Sequence, residues 1–290
     1  MNRMAMGGVI GGVVCVLAAS AGAGEIWGIK SMGSALPSQA PANLFRFNHD
    51  ASGFTDFGPI SIVGGGNVDA DALAASSTLG LYAFWLTPNG SQLMHLGSGS
   101  PVGTTVGTFM PTRSMRAATF DAADRLWAID ASTSEIMQIN PLTGSIIGMP
   151  ALLHTAVAAL LVEGEGSDIA VTMGGEMIFV NGNRIYSLDP FSGAATLLGQ
   201  DPTANPVNFL VGAAFSPDAP ADRLFAFEVN GTDDLITYDM NVNYNPSPLI
   251  PHILPGFNAG RGDLASVIPG PGLIGVLGAA GLVGLVRRRR

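Results

Sequence analysis

Between residues 25 and 267 the chain is built of short runs in which apolar and polar positions alternate, and the runs recur. Five of them centre on a bulky apolar residue: Ile26-Trp27-Gly28-Ile29, Leu81-Tyr82-Ala83-Phe84, Leu126-Trp127-Ala128-Ile129, Met177-Ile178-Phe179-Val180 and Leu224-Phe225-Ala226-Phe227. Counted at the second residue, they lie 55, 45, 51 and 47 positions apart. A second run follows each, over 42–48, 91–97, 134–140, 183–189 and 233–239. Most of these alternate with a period of two, the mark of a half-buried strand.

Turn chemistry keeps the same beat. Ser52-Gly53, Ser98-Gly99, Thr143-Gly144 and Ser192-Gly193 follow the second run, their glycines 46, 45 and 49 apart. Asn140-Pro141-Leu142-Thr143-Gly144 and Asp189-Pro190-Phe191-Ser192-Gly193 are near copies. Proline presets φ for such a turn, and glycine takes the positive-φ place. The fifth repeat lacks the pair and runs through 241–248 instead. A third strand is expected over 144–149 and 195–200. After a polar loop comes a strand of small residues, at 71–76, 116–121, 167–172, 211–216 and 262–267. Small side chains suit a strand close to a crowded axis.

Four short strands repeated every 45 to 50 residues predict an all-β fold, a β-propeller of about five four-stranded blades over 24–267. The repeats resemble secreted propeller repeats of the LYAIDPxTGxLTLVG kind. A β-sandwich or solenoid is the alternative, but a sandwich does not sustain a 45-residue period. Ring closure is expected from packing of the first blade against the fifth, because an open sheet edge invites aggregation.

The two ends have a different character. Residues 1–6 carry Arg3, residues 7–19 are apolar, and Ala21-Gly22-Ala23 is a small-x-small site. These are the parts of a secretory signal peptide over 1–23, with cleavage after Ala23 or, as the near alternative, after Ala21. An apolar run of 13 residues is short for a membrane span, which needs about 20. At the other end, Ile268 to Val286 is 19 residues without charge, followed by Arg287, Arg288, Arg289 and Arg290. As a helix the run would be about 28 Å long, against about 30 Å of hydrocarbon. It has no polar face, unlike a soluble core helix. Positive charge stays cytoplasmic, so a transmembrane helix here leaves the body outside.

A short Pro-x-Pro motif, a Gly/Leu/Ala-rich span and a terminal Arg cluster together resemble a PEP-CTERM sorting segment, here over 268–290. The resemblance implies recognition by an exosortase-like sorting protease acting at the membrane. Members of that family read V-P-E-P, whereas this chain has Ile268-Pro269-Gly270-Pro271. Gly270 therefore stands where the acidic residue is usual. The resemblance also implies export to the cell envelope or surface and association with extracellular polysaccharide.

Composition sharpens this picture. Hydrophobic residues make up 47% of the chain and charged ones 12%, about half the usual charged share. The mean hydropathy is +0.37. Without the two ends the body has 8 basic and 22 acidic residues, a net charge of −14. Such a surface repels nucleic acid and anionic lipid. Cys15, the only cysteine, lies in the first apolar run, so neither a disulfide framework nor a cysteine zinc site exists.

The search for chemistry finds little. His49, His95, His154 and His252 are scattered, and no nucleophile elbow, zinc-protease or phosphate-loop motif occurs. Gly64-Gly65-Gly66 reads as a blade loop. Asp69/Asp71 and Asp218/Asp222 have the chemistry for calcium but no EF-hand spacing. Arg261-Gly262-Asp263 leads into a small-residue strand and reads as a chance tripeptide. Asn89-Gly90-Ser91 and Asn230-Gly231-Thr232 are formal glycosylation sequons that read equally as tight turns. Trp27, Tyr82, Trp127 and Phe225 recur at one place per blade, which marks packing. Segments 30–42, 149–166 and 241–260 break the repeat and are the better places for function. Within 151–162 a short helix or buried loop is expected, with His154 as a satisfied core residue. No catalytic residue, resident metal or cofactor is assigned. The sequence therefore points to an exported, membrane-anchored scaffold. The alternative is a secreted propeller hydrolase or lactonase with a metal in the central channel. That reading requires three or more acidic or histidine side chains to converge on the axis.

Overall fold

The structure, a computed structural model, describes residues 24–31, 41–50, 52–155, 158, 167–200, 209–216, 223–229, 234–240, 246–250 and 261–267. The expected signal peptide over 1–23 and the expected sorting segment over 268–290, with Ala21, Ala23, Pro269, Gly270, Pro271 and Arg287 to Arg290, lie outside the described residues.

The described part is a five-bladed β-propeller. The first blade holds β1 (Glu25–Ser31), β2 (Ala42–Asn48) and β3 (Thr55–Pro59). The second holds β4 (Ser61–Ile62), β5 (Ala70–Ser76), β6 (Gly80–Thr87), β7 (Gly90–Gly97) and β8 (Val102–Pro111). β9 (Met115–Phe120), β10 (Leu126–Asp130), β11 (Glu135–Ile139) and β12 (Ile146–Leu152) make the third. β13 (Ser167–Val171), β14 (Met177–Asn181), β15 (Arg184–Leu188) and β16 (Ala195–Gln200) make the fourth. β17 (Phe209–Phe215), β18 (Arg223–Val229), β19 (Asp234–Asp239) and β20 (Pro246–Ile250) make the fifth.

The last strand, β21 (Arg261–Ser266), does not join the fifth blade. It pairs antiparallel with β1, Ile26 opposite Ser266 through Ser31 opposite Arg261, and becomes the innermost strand of the first blade. The small-residue strand thus opens each blade instead of ending it. Ring closure comes from a strand shared between the two ends of the chain, not from blade packing alone. Around the axis, β5 lies beside β9, β9 beside β13, β13 beside β17, β17 beside β21 and β21 beside β5. No inner strand is left with an open flank. The five run the same way, so the ring has an entry end, where they begin, and an exit end, where they finish.

The expected half-buried strands are buried on both faces. β10 and β14 have no exposed position, and β5 is buried throughout. Period-two alternation sends successive side chains to two different inter-blade layers instead of to core and solvent. Tyr82, Phe84 and Leu93 pack toward the third blade with Phe120 and Ile139, while Leu81, Ala83 and Met94 pack toward the first with Trp27 and Leu44. A blade with two apolar faces explains the high hydrophobic and low charged content. Only outer strands such as β12 and β16 meet water along most of their length.

The near-identical turns lock blades together. Gly144 and Gly193 have φ of 67° and 71°. The backbone of Gly144 lies against the Val106 carbonyl of β8, and that of Gly193 against the carbonyl of Leu152. Gly193 O also accepts a bond from His154 N at 3.0 Å. The glycine is therefore required twice, for its φ and for close approach to the preceding blade.

Candidate functional site

The polar groups with the most perturbed surroundings lie in the central channel, at the entry end. Asp71 on β5, Arg116 on β9, Asp168 on β13 and Asp263 on β21 project from four of the five inner strands. Asp168 and Asp263 are fully buried and Asp71 nearly so. Ala72, at φ 57°, forms a bulge between Asp71 and Leu73.

Each carboxyl is held by backbone amides. The Asp263 Oδ2 accepts a bond from Leu73 N at 2.6 Å, which ties β21 to β5. Asp168 Oδ1 accepts from Ile169 N at 2.6 Å. Its Oδ2 accepts from Ala213 N at 2.5 Å and Leu264 N at 3.4 Å, tying β13 to β17 and β21. Asp71 Oδ1 accepts from Ala72 N at 3.3 Å, and its Oδ2 pairs with Arg116 Nη1 at 3.2 Å. Asp263 Oδ1 has no donor among the described residues and faces the Asp168 carboxyl. A proton on one joins the two.

Burial pushes the Asp168 carboxyl up to about 8, although the hydrogen bonds from Asp263 and the backbone act the other way. Burial also raises Asp263 well above the usual carboxylate range, and the charges of Asp168 and Asp71 add to it. Desolvation and like charge both favour the neutral acid. The pair therefore holds a proton near neutral pH.

Three acidic side chains do converge on the axis, as the hydrolase reading requires. Their oxygens are nevertheless directed at strand amides, at Arg116 and, for Asp263 Oδ1, at the neighbouring carboxyl. Among the described residues no group of three or more His, Cys, Asp or Glu is arranged to hold a metal ion. The arrangement is that of a clasp joining inner strands.

The remaining sequence-derived candidates scatter. Asp69 and Asp71 are both buried, not turn residues in solvent, and Asp218 and Asp222 lie outside the described residues. Asp263 of the Arg-Gly-Asp tripeptide points into the channel and is not displayed. His154 is exposed, because Leu153 takes the buried position beside it. Ala158 N bonds His154 O at 3.0 Å, an i to i+4 bond of helical type within the expected segment. His95 is half-buried, with Nε2 2.8 Å from Leu79 O. Gly90 is the first residue of β7, so Pro88-Asn89 is the two-residue turn of that hairpin, and Asn230 lies outside the described residues. Trp27, Tyr82, Trp127 and Phe225 are all buried packing residues. Asp168 was not singled out in the sequence, and Asp263 only as part of a chance tripeptide. The available signal was register: each immediately precedes the third residue of its small-residue strand, Ile169 or Leu264.

No family model and no curated protein matches the chain. Several solved structures share its outline. One is virginiamycin B lyase from Staphylococcus aureus, at 14% identity and TM-score 0.42, over 80% of this chain and 75% of that one. Another is a protein of unknown function from Bacteroides thetaiotaomicron, at 13% identity and TM-score 0.47, over 79% of this chain and 57% of that one. TolB from Acinetobacter baumannii matches at 13% identity and TM-score 0.44, over 79% of this chain and 52% of that one.

Proposed function

We propose that the protein is an exported surface protein, held at the membrane by residues 268–290 until any processing, whose propeller is a non-enzymatic binding scaffold. Its partners are extracellular polysaccharide or envelope proteins, and an exosortase-like protease handles its tail. One observation carries this reading. The ring is complete at Ser266, and Val267 is the last described residue and is buried. Pro269, Gly270 and Pro271 therefore follow a closed body, and a cut there leaves the five blades whole. The acidic body stays soluble outside the cell after release. The channel geometry gives the metal-dependent hydrolase no support, since its carboxyls serve the strands.

Mass spectrometry of the protein from its native host tests the reading. Loss of the residues beyond about Pro271 from the surface or released form, with the unprocessed form in the membrane fraction, is the expected result. Full-length chain with an intact Arg290, recovered only in the soluble fraction, would overturn it.

A further inference from the structure

The two ends of the described chain leave the ring together. Ile26 pairs with Ser266, and Ser216 Oγ reaches Gly24 O at 3.5 Å, so residues 24 and 267 sit side by side at the exit end. In the other blades this place is occupied by the hairpin from the inner strand to the next.

No tether separates this end from the apolar segment. Val267 is buried, and the uncharged run begins at Ile268. As a membrane helix its 19 residues would span about 28 Å, which a hydrocarbon core of about 30 Å would use in full. If the segment spans, the exit end of the ring sits at the bilayer surface.

That end carries exposed apolar turn tips. Leu142, in the turn between β11 and β12, is 73% exposed, and Phe191, in the turn between β15 and β16, is 67% exposed. Met173, in the β13–β14 hairpin, is 39% exposed, and Phe54, before β3, is 38% exposed. The hairpins described at the entry end are different. Residues 88–89, 131–134 and 182–183 are Pro-Asn, Ala-Ser-Thr-Ser and Gly-Asn. The other exposed large apolar side chains, Met149 and Leu152 among them, lie on or beside the outer strands β4, β8, β12 and β16, so apolar turn tips are what distinguishes this end and marks it as a contact surface.

We propose that the exit end is a bilayer-contact face, with Phe54, Leu142, Met173 and Phe191 resting in the interface of the membrane that holds residues 268–290. This rests on the anchor reading above. The same end bears Asp50, Asp121, Asp124, Glu176 and Asp189, with Arg125 among them. Contact is therefore apolar and best on zwitterionic lipid, because an anionic surface repels these carboxylates. The consequence is an orientation: the channel mouth with Asp71, Asp168 and Asp263 faces away from the membrane, toward external partners.

The test uses the full chain in a Cys15→Ser background, with Leu142→Cys, Phe191→Cys or Asn89→Cys carrying an environment-sensitive dye. The protein is reconstituted into phosphatidylcholine vesicles with or without doxyl-labelled lipid. Dye at 142 and 191 shifts to the blue and loses most of its emission to doxyl lipid, while dye at 89 does neither. Vesicle-bound protein with all three positions alike overturns the proposal. So does a blue shift at 142 and 191 without lipid quenching, which would place a second copy or another protein on this face. Protein that fails to float with vesicles defeats the anchor itself, and this proposal with it.

Discussion

Asp168 and Asp263 face each other in the channel, one on β13 and the other on the strand that closes the ring. Each also reaches the backbone of a neighbouring inner strand, Asp168 at Ala213 N and Asp263 at Leu73 N. Three strands and the closing strand thus meet at one buried carboxyl pair. The pair helps keep the closing strand in register, because a shift of one residue would take Asp263 off Leu73 N and Leu264 N off Asp168, which would keep only Ile169 N and Ala213 N.

The pair makes stability depend on pH. In the unfolded chain an aspartate titrates near 3.9. In the folded protein burial holds Asp168 at about 8 and Asp263 well above its ordinary value. Between about pH 4 and 8 the native state thus binds more protons than the unfolded chain, so the pair's contribution falls as pH rises. The slope is at most about 1.4 kcal/mol per pH unit for each proton. Denaturant unfolding at pH 5, 6.5 and 8 should show this loss. Asp263→Asn keeps an acceptor for Leu73 N and supplies a donor to Asp168, so its slope should be flatter and its relative stability greatest at pH 8. Every other ionisable group is common to both proteins, so the difference isolates the pair. Parallel slopes would rule the shared proton out.

Gly193 and Gly175 separate close approach from backbone strain. Both have positive φ, 71° and 86°. A Cβ at Gly175 meets nothing within 4 Å, whereas at Gly193 it runs into the Leu152 carbonyl. Gly175→Ala should cost only the left-handed penalty of about 1–2 kcal/mol. Gly193→Ala should cost about 1–3 kcal/mol more, by analogy with overpacking in a tight interior. Equal midpoints in thermal unfolding would remove the inter-blade role given to this turn.

The two buried tryptophans differ in one bond. Trp127 Nε1 donates to Asp121 Oδ2 at 3.0 Å, while Trp27 Nε1 has no hydrogen-bond partner among the described residues. Asp121 also holds Arg125 Nε at 2.7 Å, and Arg125 lies over the Phe191 ring at 5.4 Å. Trp→Phe at 127 should therefore cost about 1 kcal/mol more than at 27, beyond the similar loss of buried ring area. It should also loosen the Phe191 turn, which is readable as faster amide exchange around residues 189–194.

The blades were legible in the sequence because each repeat carries its own turn glycine and apolar strand, and both are local signals. The count of five followed from the recurrence of Trp27, Tyr82, Trp127, Ile178 and Phe225. The blade phase was not legible. Nothing local in residues 261–266 says that this strand pairs with 26–31, more than 200 positions away, instead of with the repeat before it. Double-sided burial was hidden for a related reason. Alternation in a strand marks two faces, and only the neighbouring blades decide whether the second meets water. The carboxyl pair was obscured by the bulge at Ala72, which moves Asp71 out of step with Asp168 and Asp263.

Two truncations test the closing strand. A chain ending at Val267 keeps all six β1–β21 pairs, from Ile26–Ser266 to Ser31–Arg261. It also keeps buried Leu264 and both carboxyl clasps. Ending at Gly260 uncovers the inner edge of β1, removes the Asp263 bond to Leu73 N and takes Leu264 N from Asp168. Six ladder pairs and the buried side chains with them amount to several kcal/mol, comparable to the roughly 5–15 kcal/mol that holds a domain together. The longer chain should elute as a compact monomer and unfold in one cooperative step. The shorter should elute expanded or aggregated, since its open edge pairs with other chains. A cooperative, compact protein ending at Gly260 would mean that the first blade closes against the fifth by side-chain packing alone.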